Sequence, residues 1–193
     1  MGKRGQGSKR GKKVEEKIVY FETTGKENTP AVLGLVRERA QARGISKVVL
    51  ASTRGDTARV ALDAFAGSDI RLVVIPHQFG FGEKQRFPGD LAKEIEAKGH
   101  RVHFGTMLFH TDDFYGVRAP RLMAAVLRTF CQGIKVCVEI ILMGCDGGLI
   151  EQGEKVIAVA GTGAGADTAV VATSAPSTKL GDLHIHEIIC KPL

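Results

Sequence analysis

The stretch "VVLASTRGDTARVALDAF", Val48–Phe65, decides the fold class of this 193-residue chain. Its first four residues are apolar and rich in valine, which predicts a buried β-strand. Its end carries apolar residues at helical spacing, namely Ala58, Ala61, Leu62 and Phe65. The small polar segment Ser52–Thr57 lies between the two patterns. The stretch therefore predicts a strand, a polar loop and a helix in succession, the repeating unit of a parallel sheet.

The same alternation extends through the first half of the chain. Lys47–Ala51 and Ile70–Ile75 are apolar on both faces, which is typical of parallel strands covered by helices on both sides. The C-terminal part is rich in strands. We therefore expect one three-layer α/β/α domain over residues 14–193, with a mostly parallel sheet and a mixed or antiparallel C-terminal edge.

Two apolar segments of the second half need separate consideration of their secondary structure. Ile134–Met143 has the β-branched content of a buried strand, but its length and apolarity also allow a buried helix. A helix starting at Pro120 is predicted from an apolar stripe, formed by Leu122, Met123, Val126, Leu127 and Phe130.

The net charge of +6 is concentrated in residues 1–13, which contain six lysines and arginines and no acid. The body that follows is formally neutral. This segment has no apolar residue after Met1, so it is predicted to be a disordered basic tail. An alternative is an arm that attracts RNA or another polyanion.

The remaining composition indicates a cytoplasmic protein. There is no long apolar run, so no membrane span is expected, and the N-terminus lacks the apolar centre of a secretory signal. Four cysteines are present without a Cys-x-x-Cys pair, and we expect them to be reduced thiols: Cys131, Cys137, Cys145 and Cys190. The sequence leaves room for a homo-oligomer.

The loop Ser52–Thr57 is the first candidate binding site. A helix N-terminus offers free backbone amides to a phosphate. Gly55 would allow close approach, Ser52, Thr53 and Thr57 would donate hydroxyl hydrogen bonds, and Arg54 would offset charge. Asp56 is expected to cap the helix or to bind a ligand hydroxyl. The alternative is a capped turn without a ligand.

A second small-residue loop follows a later apolar strand. It spans Gly161–Thr168, with Gly161, Thr162, Gly163, Gly165, Asp167 and Thr168 as its candidate residues. Successive small residues leave backbone amides accessible to an anion. Loops of this kind are common between strands, so this segment supports a binding site only in combination with Ser52–Thr57.

Several other residues have ionisable side chains, but their spacing does not identify a catalytic or metal site. Glu139 is expected to be a buried structural carboxylate, with contact to a ligand as the alternative. His184 and His186 are expected to lie on a surface face without a metal. His110, Asp112 and Asp113 share a loop and could perform acid–base chemistry. No catalytic residue can be assigned from the sequence.

Four segments together resemble the C-terminal α/β domain of pyruvate kinase, and more closely a stand-alone archaeal and bacterial family with that fold. They are "GKENTPAVLGLVRERA" (Gly25–Ala40), "VVLASTRGDTARVAL" (Val48–Leu62), "KVCVEIILMGCDGGLI" (Lys135–Ile150) and "GEKVIAVAGTGAGADTAVV" (Gly153–Val171). The resemblance implies that Lys135–Gly147 is a helix. It also implies that Ser52–Thr57 and Gly161–Thr168 hold phosphate.

The resemblance to the stand-alone family suggests a phosphorylated cofactor such as FMN, with a sugar phosphate or no cofactor as the other outcomes. Asp56 and the lack of a basic residue in Gly161–Thr168 disfavour a doubly phosphorylated sugar. Phe79, Phe81 and Phe87 could form a wall for a ring. We therefore expect a protein that binds a phosphorylated small molecule. The alternatives are an enzyme acting on a sugar phosphate or flavin, or an RNA-associated protein with weak nucleic-acid contact through residues 1–13.

Overall fold

The computed structural model describes residues 13–111 and 118–193. Its elements alternate as expected through the first half. The strands are β1 (Val19–Phe21), β2 (Lys47–Ala51), β3 (Arg71–Ile75), β4 (Arg101–Val102), β5 (Lys155–Ala160), β6 (Thr168–Thr173) and β7 (His184–Pro192). The α-helices are α1 (Thr29–Arg43), α2 (Asp56–Ala64), α3 (Gly89–Ala97), α4 (Ala119–Arg128) and α5 (Gln132–Asp146). The ambiguous segment Ile134–Met143 is thus helical.

These described strands form one seven-stranded sheet with the order β1-β7-β6-β5-β2-β3-β4. Strands β5, β2, β3 and β4 run parallel to one another. β6 runs antiparallel to β5 and β7, and β1 pairs in parallel with β7. The predicted α/β class and the antiparallel pairing on the C-terminal side of the sheet are confirmed.

Alternate residues of the central strands supply two separate cores. Leu72 and Val74 of β3 face the side covered by α1, α2 and α3. Val73 and Ile75 face the other side, where α5 packs. Because both sides are covered, the strands are apolar at nearly every position. This arrangement fixes the carboxyl ends of β5, β2 and β3 side by side.

The apolar stripe of α4 is only partly used for packing. Met123 and Leu127 contact a small cluster between α4 and α5. Leu122, Val126 and Phe130 are more than half exposed. The prediction of a helix here is confirmed, but its apolar residues divide between a packed side and a solvent-facing side.

Two findings bear on the predicted setting of the protein. No helix in the described ranges is both long and apolar enough to cross a membrane. None of the four cysteines forms a disulfide. The predicted basic tail, residues 1–13, lies outside the described residues except for Lys13.

Candidate functional site

A cavity of about 330 Å³ opens at the carboxyl ends of β5, β2 and β3. Ligands of open α/β sheets bind at this edge, because loops diverge there and leave a crevice. The two predicted loops reach it from adjacent strands: Ser52 follows the end of β2, and Gly161 follows the end of β5. Helix α5 forms another wall. The structure therefore brings the two sequence-predicted loops to one cavity.

Five of the six candidates in the first loop line this cavity: Ser52, Thr53, Arg54, Asp56 and Thr57. Helix α2 begins at Asp56, so the amides of its first turn have no acceptor within the helix. The buried Ser52 Oγ accepts a hydrogen bond from the Ala58 amide at 3.2 Å. Ser52, rather than Asp56, thus provides the side-chain acceptor at this helix end, and the exposed Asp56 is left at the cavity.

Gly55 does not line the cavity. It is the N-cap of α2 with φ +88°, a conformation that favours glycine. A β-carbon at this position would overlap the Leu91 side chain of α3. The structure therefore gives Gly55 a packing role between α2 and α3, where the sequence suggested close approach to an anion.

In the second loop, Gly161, Gly163 and Gly165 line the cavity. Asp167, which is fully buried, fixes the loop from below: its Oδ2 accepts from the amides of Thr162 at 3.0 Å and Gly25 at 3.2 Å. Thr162, Asp167 and Thr168 are outside the cavity wall. These three hold the loop in place, and the glycines present its backbone.

Thr168 has a further packing function. Its hydroxyl donates to Asp167 Oδ1 at 2.7 Å. Its side chain also lies where a β-carbon on Gly133 of α5 would be, so glycine is required for this close helix–strand contact. The loop, β6 and the start of α5 are therefore packed as one unit.

The floor of the cavity carries a buried charged cluster. Lys135 Nζ donates to Glu139 Oε2 at 2.5 Å, and the two side chains are 1 % and 3 % exposed. Glu139 Oε1 accepts from the Phe109 amide at 2.9 Å and lies 3.3 Å from His110 Nδ1. The carboxylate of Glu139 is thus surrounded by three donor groups.

These contacts determine the ionisation of the cluster. Burial opposes the charged form of Glu139, but the hydrogen bond with His110, the charge and hydrogen bond of Lys135 and the Phe109 amide together outweigh burial and lower its pKa. Burial lowers the pKa of Lys135, and the attraction of Glu139 only partly offsets it. An ionised Glu139 can only accept hydrogen bonds, so the proton of a neutral His110 belongs on Nδ1.

The mouth of the cavity is lined by His77, Phe81 and Arg86 of the long loop after β3. Phe81 packs edge-on against His77 at 4.7 Å and against His110 at 5.2 Å between ring centroids. Burial lowers the pKa of His77, and the charge of Arg86, together with the charge that His110 carries whenever it is protonated, acts in the same direction. The long loop therefore supplies two aromatic rings and one cationic side chain.

The predicted aromatic wall is smaller than expected. Phe81 is part of the cavity, whereas Phe87 is buried in the core beside α3. The exposed Phe79 packs on Phe104 at 4.8 Å. Two of the three phenylalanines thus stabilise the loop instead of facing the cavity.

Sequence reasoning missed Lys135 as a site residue. A signal was present, since a lysine and a glutamate stand four residues apart, on one helix face, within an otherwise apolar segment. Charges in such a segment need a partner, because an unpaired buried charge is strongly unfavourable. The contact between Glu139 and His110, 29 residues apart, had no signal in the local pattern.

The other candidates are not brought to the cavity. The rings of His184 and His186 meet edge-to-face on β7, 4.7 Å apart between centroids, and His186 Nε2 lies 2.7 Å from Thr173 Oγ1. In the two described ranges no three metal-ligating side chains come together. Asp112 and Asp113 lie outside the described residues.

Comparison with known families identifies the domain. The family model described as "Pyruvate kinase, alpha/beta domain" matches residues 30–172. The chain belongs to this family. The matched segment begins in α1 and ends in β6, so both cavity loops of this pyruvate kinase α/β domain lie inside it.

Solved structures of whole pyruvate kinases are similar to this pyruvate kinase α/β domain. A crystal structure of a pyruvate kinase from Cryptosporidium parvum aligns over 75 % of this chain and 22 % of that chain, at 14 % identity and a TM-score of 0.42. A Cryptosporidium parvum pyruvate kinase in complex with ADP aligns over 67 % and 19 %, at 15 % identity and a TM-score of 0.35. The chain spans about a fifth of the length of these enzymes.

Proposed function

We propose that this domain binds a small molecule through its phosphate, held between the Ser52–Thr57 and Gly161–Gly165 loops. The observation that carries the proposal is that both loops leave adjacent parallel strands and line the same cavity. The first turn of α2 supplies amides and the positive end of a helix dipole. Arg54 and Arg86 supply positive charge at the same cavity.

FMN is the first ligand to test. The side chain of Phe81 offers an aromatic edge for a ring system, and His77 and Met107 extend the same part of the wall. The phosphate would lie at the two loops and the ring near Phe81. Such a site combines an apolar surface with a few convergent polar groups, which is common in cofactor sites.

A sugar phosphate is the second candidate, and two observations favour it. The cavity volume of about 330 Å³ is at the small end of the range for ligand sites, about 300–1,000 Å³. The floor is polar, and the partly exposed His110 can bind a hydroxyl group. Both properties suit a compact, hydroxyl-rich ligand.

The proposal also covers the cellular location of the protein and its alternative partner, RNA. The free state of all four cysteines is consistent with a cytoplasmic protein, where thiols stay reduced. The RNA-associated alternative rests on residues 1–13 and stays a prediction. Binding there would weaken steeply with salt and would be lost when the segment is deleted.

Calorimetric titration with matched ligand pairs tests the proposal. FMN is compared with riboflavin, and ribose 5-phosphate with ribose, so that each pair differs only in the phosphate. The phosphorylated member of at least one pair is expected to bind at least about tenfold more tightly, because charged hydrogen bonds contribute about 1.5–3 kcal/mol each. Equal affinity within both pairs would contradict a phosphate site. The absorbance spectrum of the purified protein shows directly whether flavin is already bound.

A further inference from the structure

The cluster of Lys135, Glu139 and His110 is more than a structural ion pair, because it opens onto the proposed ligand cavity. Glu139 and Lys135 are almost completely buried, whereas about a third of the His110 side chain is exposed. The arrangement engages Nδ1 of the imidazole and leaves part of the ring exposed at the cavity. A buried carboxylate that orients a histidine is a recurring arrangement of acid–base sites.

Hydrogen-bond chemistry determines which nitrogen of His110 is available. Glu139 Oε1 faces His110 Nδ1 at 3.3 Å and already accepts from the Phe109 amide. Lys135 neutralises the other carboxylate oxygen. The neutral imidazole therefore has its proton on Nδ1 and a lone pair on Nε2, which is the form that a general base requires.

We propose that His110 is the general base of an enzyme that moves a proton within a small phosphorylated α-hydroxy aldehyde or ketone. The proposal rests on the phosphate site described above and selects the sugar phosphate among its two ligand classes. Glu139 is a positioning residue that keeps His110 in the required tautomer. Lys135 and Arg86 line the same cavity and can offset negative charge on the ligand.

The reaction is balanced without a further reactant. His110 Nε2 takes the proton from the carbon next to the carbonyl, and the electrons of that C–H bond form a carbon–carbon double bond. The carbonyl oxygen gains the negative charge, giving an enediolate. The imidazolium then returns the proton to the same carbon or to its neighbour. Return to the neighbour moves the carbonyl once the proton of the adjacent hydroxyl has passed to the former carbonyl oxygen, so that every proton is accounted for. In heavy water the imidazolium exchanges its proton with the solvent, so either return introduces deuterium.

Proton NMR in D2O tests this activity. The probes are dihydroxyacetone phosphate and ribose 5-phosphate, with dihydroxyacetone and ribose as controls. The protein is expected to replace the proton next to the carbonyl with deuterium in at least one phosphorylated probe, faster than buffer alone. His110→Gln can still donate to Glu139 but cannot act as a base, so it should lower the exchange rate about 10²–10⁴-fold. His184→Gln, the same change at an exposed site on β7, should keep the wild-type rate.

Affinity and folding are measured on the same samples. His110→Gln should bind the probe with nearly wild-type affinity and keep its unfolding temperature, and His110→Asn repeats the test if the glutamine variant does not fold. At saturating probe, Glu139→Gln should lower the exchange rate by a larger factor than the factor by which it raises the dissociation constant. Binding without exchange would overturn the proposed activity and leave the binding function intact. Absence of binding by every phosphorylated probe would overturn both. Exchange that is unchanged in His110→Gln would overturn the assignment of His110 as the base and leave the binding function intact.

Discussion

Lys135 and Glu139 lie one turn apart on α5, and their side chains form an ion pair that is almost entirely shielded from water. The pair has additional support from the Phe109 amide, which also donates to Glu139. A buried pair of this kind is strongly sensitive to the loss of one partner, because the remaining charge has no solvent to stabilise it. The first prediction follows from this relationship.

Glu139→Leu is expected to lower the free energy of unfolding by about 3–5 kcal/mol, because Lys135 is left buried without its counter-charge. The double variant Lys135→Met with Glu139→Leu removes both charges and should recover part of that loss. Complete recovery is not expected, since the Phe109 amide still lacks its acceptor. Urea unfolding of the three proteins measures the effect. A double variant less stable than Glu139→Leu would contradict this view of the pair.

The second prediction concerns pH and His77. Burial lowers its pKa below the ordinary value of 6.5, Arg86 and a protonated His110 add to the shift by charge repulsion, and Glu139 opposes it. The unfolded chain therefore binds a proton at a higher pH than the folded chain does. Stability should fall as the pH decreases below about 6.5, and this loss should be smaller in His77→Gln. Urea unfolding at several pH values between 8 and 5 provides the measurement. An identical pH dependence in both proteins would contradict the assignment.

The third prediction separates packing from ligand approach at Gly55. Gly55→Ala meets both a positive φ and the Leu91 side chain, whereas Gly67→Ala meets a positive φ of 70° and open space. Gly55→Ala should therefore cost about 1–3 kcal/mol more stability, the usual effect of overpacking. Thermal unfolding of the two variants checks this. Equal losses would show that α3 moves freely away from Gly55.

The fourth prediction concerns the hydroxyl of Thr53, which lines the cavity. Thr53→Val keeps the shape of the side chain and removes its donor, so affinity for the phosphorylated ligand should fall by about 1–3 kcal/mol. Thr23→Val, at an exposed position on another part of the surface, is the matched control. Titration of both variants with FMN and ribose 5-phosphate gives the result. Unchanged affinity in Thr53→Val would show that this hydroxyl does not bind the ligand.

Local sequence patterns were sufficient for most of the fold. The apolar segment Lys47–Ala51 and the helix spacing of Ala58, Ala61 and Leu62 depend on neighbouring residues alone, and both elements were predicted with correct boundaries or nearly so. Ile134–Met143 was ambiguous because a helix packed against the sheet on one side and α4 on the other has little polar periodicity. Family resemblance resolved it.

The details of the cavity depend on contacts between distant residues, which local patterns do not contain. The sequence pattern relates Gly55 only to its own loop, although Leu91 of α3 determines its environment. Phe87 was expected to face a ligand and instead joins the core. The location of the two loops was predictable because parallel strands end at one edge of a sheet.

The central claim is that the two loops hold one phosphate, and amide chemical shifts of 15N-labelled protein test it most directly. Titration with ribose 5-phosphate should shift the amides of Asp56 and Thr57 at the start of α2 together with that of Gly163 in the second loop. Ribose without phosphate should leave these amides unchanged at the same concentration. Binding of ribose 5-phosphate that leaves all three amides unshifted would place the phosphate elsewhere and contradict the account.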